Sequence, residues 1–351
     1  MNVLTVNPGS GSLRLHLVRA EDEKVLDSAS TDDVSSFADR QPTISVVAHR
    51  LVHGGPDLVR PVEATPSVRA KIADARSLAP EHVPKTEALL DQLADLLPDA
   101  THIVCPDTAF HETLPSVAQT YPLPARWRFP WNLRCYGFHG WSFSWATRRA
   151  AELLHRPPGE LNLLIAHLSG GCSVCAVSHG HSVDTSMGFT PLEGAMMTKR
   201  SGSVDPGMLL WLLREGKLTV SELEDGLYHH SGLLGLSGIS DDTRDLVSDG
   251  SAEARFALAV FEHRIRAELA ATAASLDRID ALVFTGDIGW DQPETAEAVA
   301  GGLGVLGIAG GLSRTRERDA VISPPGAKIP VLALRSREEL ELARAAAEAV
   351  R

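Results

Sequence analysis

From residue 161 to residue 186 the chain reads LNLLIAHLSGGCSVCAVSHGHSVDTS. Three short apolar runs, LNLLIAHL, CSVCAV and HSVDTS, are separated by Gly-rich turns at 169–171 and 179–180, the pattern of consecutive strands. The N-terminus has the same construction: VLTV, a run of small residues at 7–12, then LRLHLV, where Leu13 and Leu15 begin a period-two alternation. A strand, a tight small-residue turn and a second strand therefore open the chain and open it again near its middle.

Working outward, each opening is followed by α/β material. In the first half, ISVVAHRLVHGG is a β-branched run ending on two glycines. Helical stretches around 68–77 and 86–97 lead to a buried strand, HIVCPD. In the second half, helical patterns over 205–214 and 252–276 precede the buried strand ALVFTG, a helix near 293–301 and strands DAVIS and IPVLAL. The terminal REELELARAAAEAV spaces Leu340, Ala343 and Ala347 near the helical period. A chain of 351 residues is too long for one ordinary core. A duplicated α/β architecture fits better than a single sheet.

No run reaches the length of apolar sequence that a membrane span needs, and the N-terminus lacks the pattern of a secretory leader, so a cytoplasmic protein is expected. The formal net charge of −12 argues against a nucleic-acid partner while leaving room for a local anion site built from a few arginines and backbone amides. Cys105, Cys135, Cys172 and Cys175 are too few and too internal for a disulfide framework. Cys172 and Cys175 form a CxxC, yet in a strand they point to opposite faces and no second CxxC follows, so they read as small packing residues.

Five segments carry candidate chemistry. NPGSGS at 7–12 offers close backbone approach to an anion, with Asn7 and the serines as neutral oxygens, although such a run also makes ordinary hairpins. HRLVHGG places Arg50 at a strand end, where a guanidinium holds a carboxylate or phosphate bidentately or forms a structural ion pair. CPDTAFH puts Asp107 directly after a strand, and YGFHG sets His139 between Phe138 and Gly140. The fifth segment runs from His167 to Pro206; its density of Gly, Ser, Thr and Pro, ending near Arg200, marks a long ordered functional loop.

DTSMGFTPLEG with RSGSVDP, together with YGFHG, DTAFH, HRLVHGG and NPGSGS, resembles the acetate kinase family, with the motifs in family order along nearly the whole chain. The resemblance implies the α/β fold of the acetate and sugar kinase, Hsp70 and actin (ribonuclease H-like) superfamily: two domains, each with a duplicated βββαβαβα core, and a cleft where ATP is clamped. The domains would be 1–110 with the helix 339–351, and 111–338. The implied activity is reversible transfer of the ATP γ-phosphate to a short-chain carboxylate, acetate or propionate, with Mg²⁺ or Mn²⁺, ATP/ADP as co-substrate, and a homodimeric state.

Position by position, the resemblance makes Asn7 and Glu338 magnesium-associated and Arg14 a replacement for a nucleotide-associated Lys. Arg50 would hold the substrate carboxylate, Asp107 would be the catalytic aspartate, and His139 and Arg200 would stabilise the transferring phosphoryl group. His167, Leu168, Ser169, Gly170 and Gly171 would form the phosphate turn. Asp242, Thr243 and Arg244 would lie at the adenosine. Asp287, Ile288, Gly289, Trp290 and Asp291 would form the nucleotide loop. Val52, Phe138, Pro191 and Glu81 would line the acyl pocket.

The chain also departs from the family. It is shorter, chiefly between Arg14 and Arg50. HLSGG stands for HLGNG, and GDIGWD for GGIGEN. A carboxylate such as Asp287 about 4 Å from a phosphate charge costs on the order of 4 kcal/mol at an effective dielectric near 20. Glu81 stands where leucine is usual, which suggests a more polar carboxylate as an alternative substrate. A catalytically inactive nucleotide-binding regulator is a further alternative, opposed by the intact reacting-centre residues.

Overall fold

The computed structural model describes residues 1–9, 13–41 and 43–351. It divides into two compact units, one of Met1–Glu112, Phe138–Trp145 and Arg337–Arg351, the other of Thr113–Gly137 and Ala146–Ser336. Each unit is built on a six-stranded sheet, and the two sheets have the same topology.

In the first unit, β1 (Asn2–Pro8), β2 (Leu13–Arg19) and β3 (Lys24–Ser30) form an antiparallel meander. β4 (Val46–Leu51) and β6 (Thr101–Pro106) extend it in parallel, and the two-residue β5 (Val62–Glu63) closes the edge antiparallel to β6. The order is β3-β2-β1-β4-β6-β5. In the second unit, β7 (Asn162–Leu168), β8 (Cys172–Ser178) and β9 (His181–Thr185) repeat the meander. β10 (Ala281–Thr285) and β12 (Val331–Ala333) add in parallel, with β11 (Ala320–Val321) at the edge. The order is β9-β8-β7-β10-β12-β11. Even the irregularities correspond: the second strand of each meander slips register after its fifth residue, between Leu17 and Val18 and between Ala176 and Val177.

The strand alternation explains how the first sheet is covered on both faces. Val46 and Ala48 of β4 join Val3, Val18, Ile103 and Cys105 beneath Leu342, Ala343 and Ala346 of the terminal helix Glu338–Ala349. The intervening Val47 joins Leu4, Leu15, Leu17 and Phe37 on the opposite face. Among the described residues, the short interval between Arg14 and Arg50 holds the rest of β2, β3, a six-residue helix, Val34–Asp39, and the start of β4.

Helix boundaries differ modestly from the sequence pattern. The helix expected at 86–97 spans Val83–Leu96, because a proline in its first turn is compatible with the missing N–H there. The segment at 68–77 is a helix, Pro66–Asp74, capped by Thr65, followed by one 3₁₀ turn. Val220–His229 was not anticipated, although Thr219 and Glu222 form a capping box legible as T-x-x-E. The four cysteines are buried and free, and burial pushes the Cys172 and Cys175 thiols up to about 12.

Several histidines are held neutral in these cores. His102 Nε2 lies 3.2 Å from the Leu97 carbonyl and donates to it, so its Nδ1, 3.0 Å from His49 Nε2, is the acceptor. Burial, with His102 beside it, lowers His49 to about 3, and burial lowers His111 to about 4. A base depressed in the folded state destabilises that state once the unfolded chain takes up its proton. This stability is complete above about pH 6.5 and is lost as pH falls toward 4, with a slope approaching about 1.4 kcal/mol per pH unit for each group. Urea unfolding at pH 7.5, 6 and 5 should therefore show a steep decline that is shallower in His111→Gln. An equal decline in both proteins would remove His111 from the account.

Candidate active site

Because β1, β4 and β6 are parallel neighbours, their C-terminal ends lie side by side, where α/β sheets gather ligands. β1 contributes Asn7, β4 contributes Arg50, and Asp107 follows β6 directly. Register makes this adjacency unavoidable: Val6 pairs with His49, and Leu51 pairs with Pro106.

Arg50 Nε donates to Asp107 Oδ1 at 2.8 Å, and Nη2 donates to Asp107 Oδ2. Arg50 Nη1 donates to Asn7 Oδ1 at 3.0 Å, and Asn7 Nδ2 donates to Glu338 Oε2 at 3.0 Å. The Asp107 side chain is 2% exposed and that of Arg50 is 12% exposed. Burial works against the Arg50 charge, but Asp107 and Glu338 outweigh it and keep the guanidinium protonated. Burial raises the Asp107 carboxyl to about 6; the guanidinium opposes the rise and the charge of Glu338 adds to it. Three of the five guanidinium protons are used in these bonds, one on each nitrogen, leaving a second proton on each Nη for a bound oxyanion.

His139 belongs to the same unit and is placed by backbone chemistry. It adopts φ +57°, and a Cβ on Gly140 would fall 2.1 Å from the Asp107 carbonyl oxygen. The neutral His111 ring lies with Nε2 2.9 Å from the carbonyl of Phe138 and donates to it. Thus Phe138–Trp145 is seated on the turn that carries Asp107. Gly140→Ala should separate these two segments and lower turnover by about tenfold or more, since small misplacements of reacting groups are costly. Steady-state rates at matched folded fraction check this, and unchanged turnover would show that the contact yields freely.

Val52 and Phe138 are buried, and the His53 ring meets that of Phe138 edge-on at 5.3 Å. His53 and His111 complete the local structure although neither was singled out in the sequence. His53 lies inside HRLVHGG and His111 inside DTAFH, and a histidine within each motif was the available signal. Glu81, expected beside the acyl group, is exposed in the turn before the helix Val83–Leu96, which spares it the burial cost that motivated a polar substrate. Arg14, on β2, is the cross-strand partner of Asn7. Ser10, Gly11 and Ser12 of NPGSGS lie outside the described residues.

The second unit brings together another set. β7 ends on His167 and Leu168, and Ser169, Gly170 and Gly171 turn the chain into β8, with Ser169 N donating to the Gly171 carbonyl at 3.1 Å. Gly170 is exposed, and nothing lies within 4 Å of where its Cβ would stand. His167 pairs with Thr285 at the end of β10, so GDIGWD begins beside this turn. Gly286, at φ +81°, approaches so closely that a Cβ would lie 2.5 Å from the Leu168 carbonyl. Ser169 Oγ donates to Asp287 Oδ2 at 3.2 Å. Ile288 and Gly289 are buried, Trp290 packs under the Arg335 guanidinium at 5.0 Å, and Asp291 is exposed.

Asp242 caps the helix Thr243–Asp249 by accepting from Arg244 N at 2.8 Å, and it also clasps the Arg244 guanidinium. Thr243 itself is buried. Arg200 is partly buried and its Nη1 donates to the Pro191 carbonyl at 3.2 Å, so two residues of the long loop named separately in the sequence are neighbours.

Magnesium is bound through one or two carboxylates with substrate phosphates and water, not by an all-protein cage. Among the described residues there is no group of three or more His, Cys, Asp or Glu side chains suited to a metal. The Glu338 carboxylate beside the Asn7 amide, with Asp107 near enough to feel its charge, is a donor set of the kind magnesium uses.

Two sheets of one topology, each an antiparallel meander extended by two parallel strands and a short antiparallel edge strand, are the fold of the acetate and sugar kinase, Hsp70 and actin superfamily. The class this defines is a phosphotransferase, with a carboxyl group as acceptor. The profile of the acetokinase family matches residues 28–344, and the chain belongs to that family. It is similar to the acetate kinase of Leifsonia xyli subsp. xyli, 37% identical over 391 aligned positions that cover 99% of this chain and 98% of the relative. The acetate kinase of Synechococcus sp. is 44% identical over 86% of this chain and 76% of its own. Among solved structures, Porphyromonas gingivalis acetate kinase superposes with a TM-score of 0.89 at 30% identity, covering all of both chains. A propionate kinase from Francisella tularensis gives 0.90 at 27% identity, covering 99% of each.

Proposed function

We propose that this chain reversibly transfers the γ-phosphoryl group of ATP to acetate or propionate, giving an acyl phosphate and ADP. The observation that carries this reading is the Asp107–Arg50–Asn7–Glu338 chain of hydrogen bonds at the ends of three parallel strands. A carboxylate acceptor is already ionised at neutral pH, so the reaction needs positioning and positive charge more than a base. Asp107, gripped through both oxygens by Arg50, serves as the group that aims the guanidinium. Arg50 then offers its remaining protons to the substrate carboxylate, while Val52 and Phe138 exclude water from its short tail.

His139 and Arg200 stabilise negative charge on the phosphoryl oxygens, and the 169–171 turn holds phosphates of the nucleotide through backbone N–H groups. Asp242, Thr243 and Arg244 lie at the nucleoside, and the segment 287–291 forms the nucleotide loop, with Asp287 beside the 169–171 turn. Asn7 and Glu338 hold Mg²⁺, which when bound neutralises phosphate charge. We further propose a cytoplasmic homodimer. Exposed Leu210, Trp211, Val220 and Phe256 in the second unit support a subunit contact.

Hydroxamate trapping with acetate, propionate and longer or hydroxylated acids, each with ATP and Mg²⁺, tests the assignment. Acetate or propionate should give the highest kcat/KM. Nucleotide binding without turnover on any acid would overturn it.

A further inference from the structure

The turn at 169–171 has a neighbour that its own sequence does not announce. Asp287 is exposed, and its carboxylate accepts a hydrogen bond from Ser169 Oγ at 3.2 Å. The contact is anchored by backbone: Gly286 packs against the Leu168 carbonyl so tightly that no side chain fits, and β10 pairs with β7 up to that point. The single hydroxyl proton of Ser169 is thereby committed to a carboxylate and is withheld from an incoming anion. A fixed negative charge also stands beside the turn. Two arginines of neighbouring segments have other partners: Arg244 is clasped by Asp242, and Arg335 lies over Trp290.

We propose that Asp287 makes occupation of this turn by a nucleotide conditional on a divalent cation. Without the cation, the carboxylate and a bare polyphosphate repel each other; with it, the phosphates arrive partly neutralised and the penalty falls. The effect grows with the number of phosphate charges and is absent for a nucleoside. This inference rests on the reading of the 169–171 turn as the phosphate site. It deepens that reading by making Asp287 a determinant of which charge state of the nucleotide is admitted.

Calorimetric titration of the full chain with adenosine, AMP and ADP, in EDTA or in Mg²⁺, provides the test on wild type, Asp287→Asn and Gly170→Phe. Asn at 287 keeps an acceptor for Ser169 and removes only the charge. In wild type, Mg²⁺ should tighten ADP binding by about tenfold or more. In Asp287→Asn most of that gain should already be present in EDTA, with adenosine affinity unchanged. Should Asp287→Asn keep the wild-type ratio of EDTA to Mg²⁺ affinities while Gly170→Phe abolishes ADP binding, the turn holds phosphate but Asp287 does not gate it. An equal shift for adenosine and ADP likewise overturns the proposal, because the effect is then not electrostatic. ADP binding that survives Gly170→Phe at wild-type strength removes the phosphate-turn reading itself, and the proposal with it.

Discussion

Arg200→Ala should lower turnover by about 10³- to 10⁵-fold with the fold retained, the range associated with an arginine that faces a transferring phosphoryl group. Its transition state spreads charge over equatorial oxygens and is stabilised by preorganised cations more than by covalent chemistry. Arg200 is partly buried in the long loop, where its Nη1 donates to the Pro191 carbonyl at 3.2 Å. Rapid-quench measurement of the chemical step, paired with a thermal melt, checks both halves of the prediction. Turnover like wild type would take Arg200 out of the mechanism.

Arg50→Ala should behave differently, abolishing activity and destabilising the protein together. Arg50 and Asp107 form a buried ion pair with two hydrogen bonds, and removing one member of such a pair costs roughly 3–5 kcal/mol, because the remaining charge is left without compensation. The Asn7 carbonyl loses its donor as well. In Arg50→Ala, Asp107→Asn the stranded carboxylate is gone, so much of the stability should return while activity does not. Urea unfolding of the two single variants and the double variant, with assays on the same samples, separates the contributions. If the double variant is no more stable than Arg50→Ala, the cost does not come from a buried unpaired charge.

The sheets were the most legible part of the chain, because β-strand alternation and small-residue turns are local signals. LNLLIAHL, CSVCAV and HSVDTS appear as β7, β8 and β9 where the pattern placed them. Strand-end placement of Arg50 and Asp107 was equally readable, since each follows its apolar run directly. What the linear sequence did not display is who touches whom. Nothing local says that Asn7 bonds Glu338, which lies 331 positions away, or that Ser169 bonds Asp287. The first contact exists because the terminal helix Glu338–Ala349 packs on β1 and β4 through Leu342, Ala343 and Ala346, and the second because parallel pairing of β7 with β10 brings distant strand ends into line. The return of Phe138–Trp145 to the first unit is of the same kind: it depends on the missing side chain of Gly140 meeting the Asp107 backbone.

The matching register slips after Leu17 and after Ala176 have a further consequence. They index the two sheets against each other residue by residue, so that Asn7 in one copy occupies the place of His167 in the other, and Arg50 the place of Thr285. One copy of an ancestral strand frame has filled those two places with an amide and a guanidinium, which grip carboxylates. The other has filled them with an imidazole and a hydroxyl that flank an open glycine turn. Duplication thus gave this chain two addresses with the same coordinates in their own sheets, and divergence gave each address a different trade.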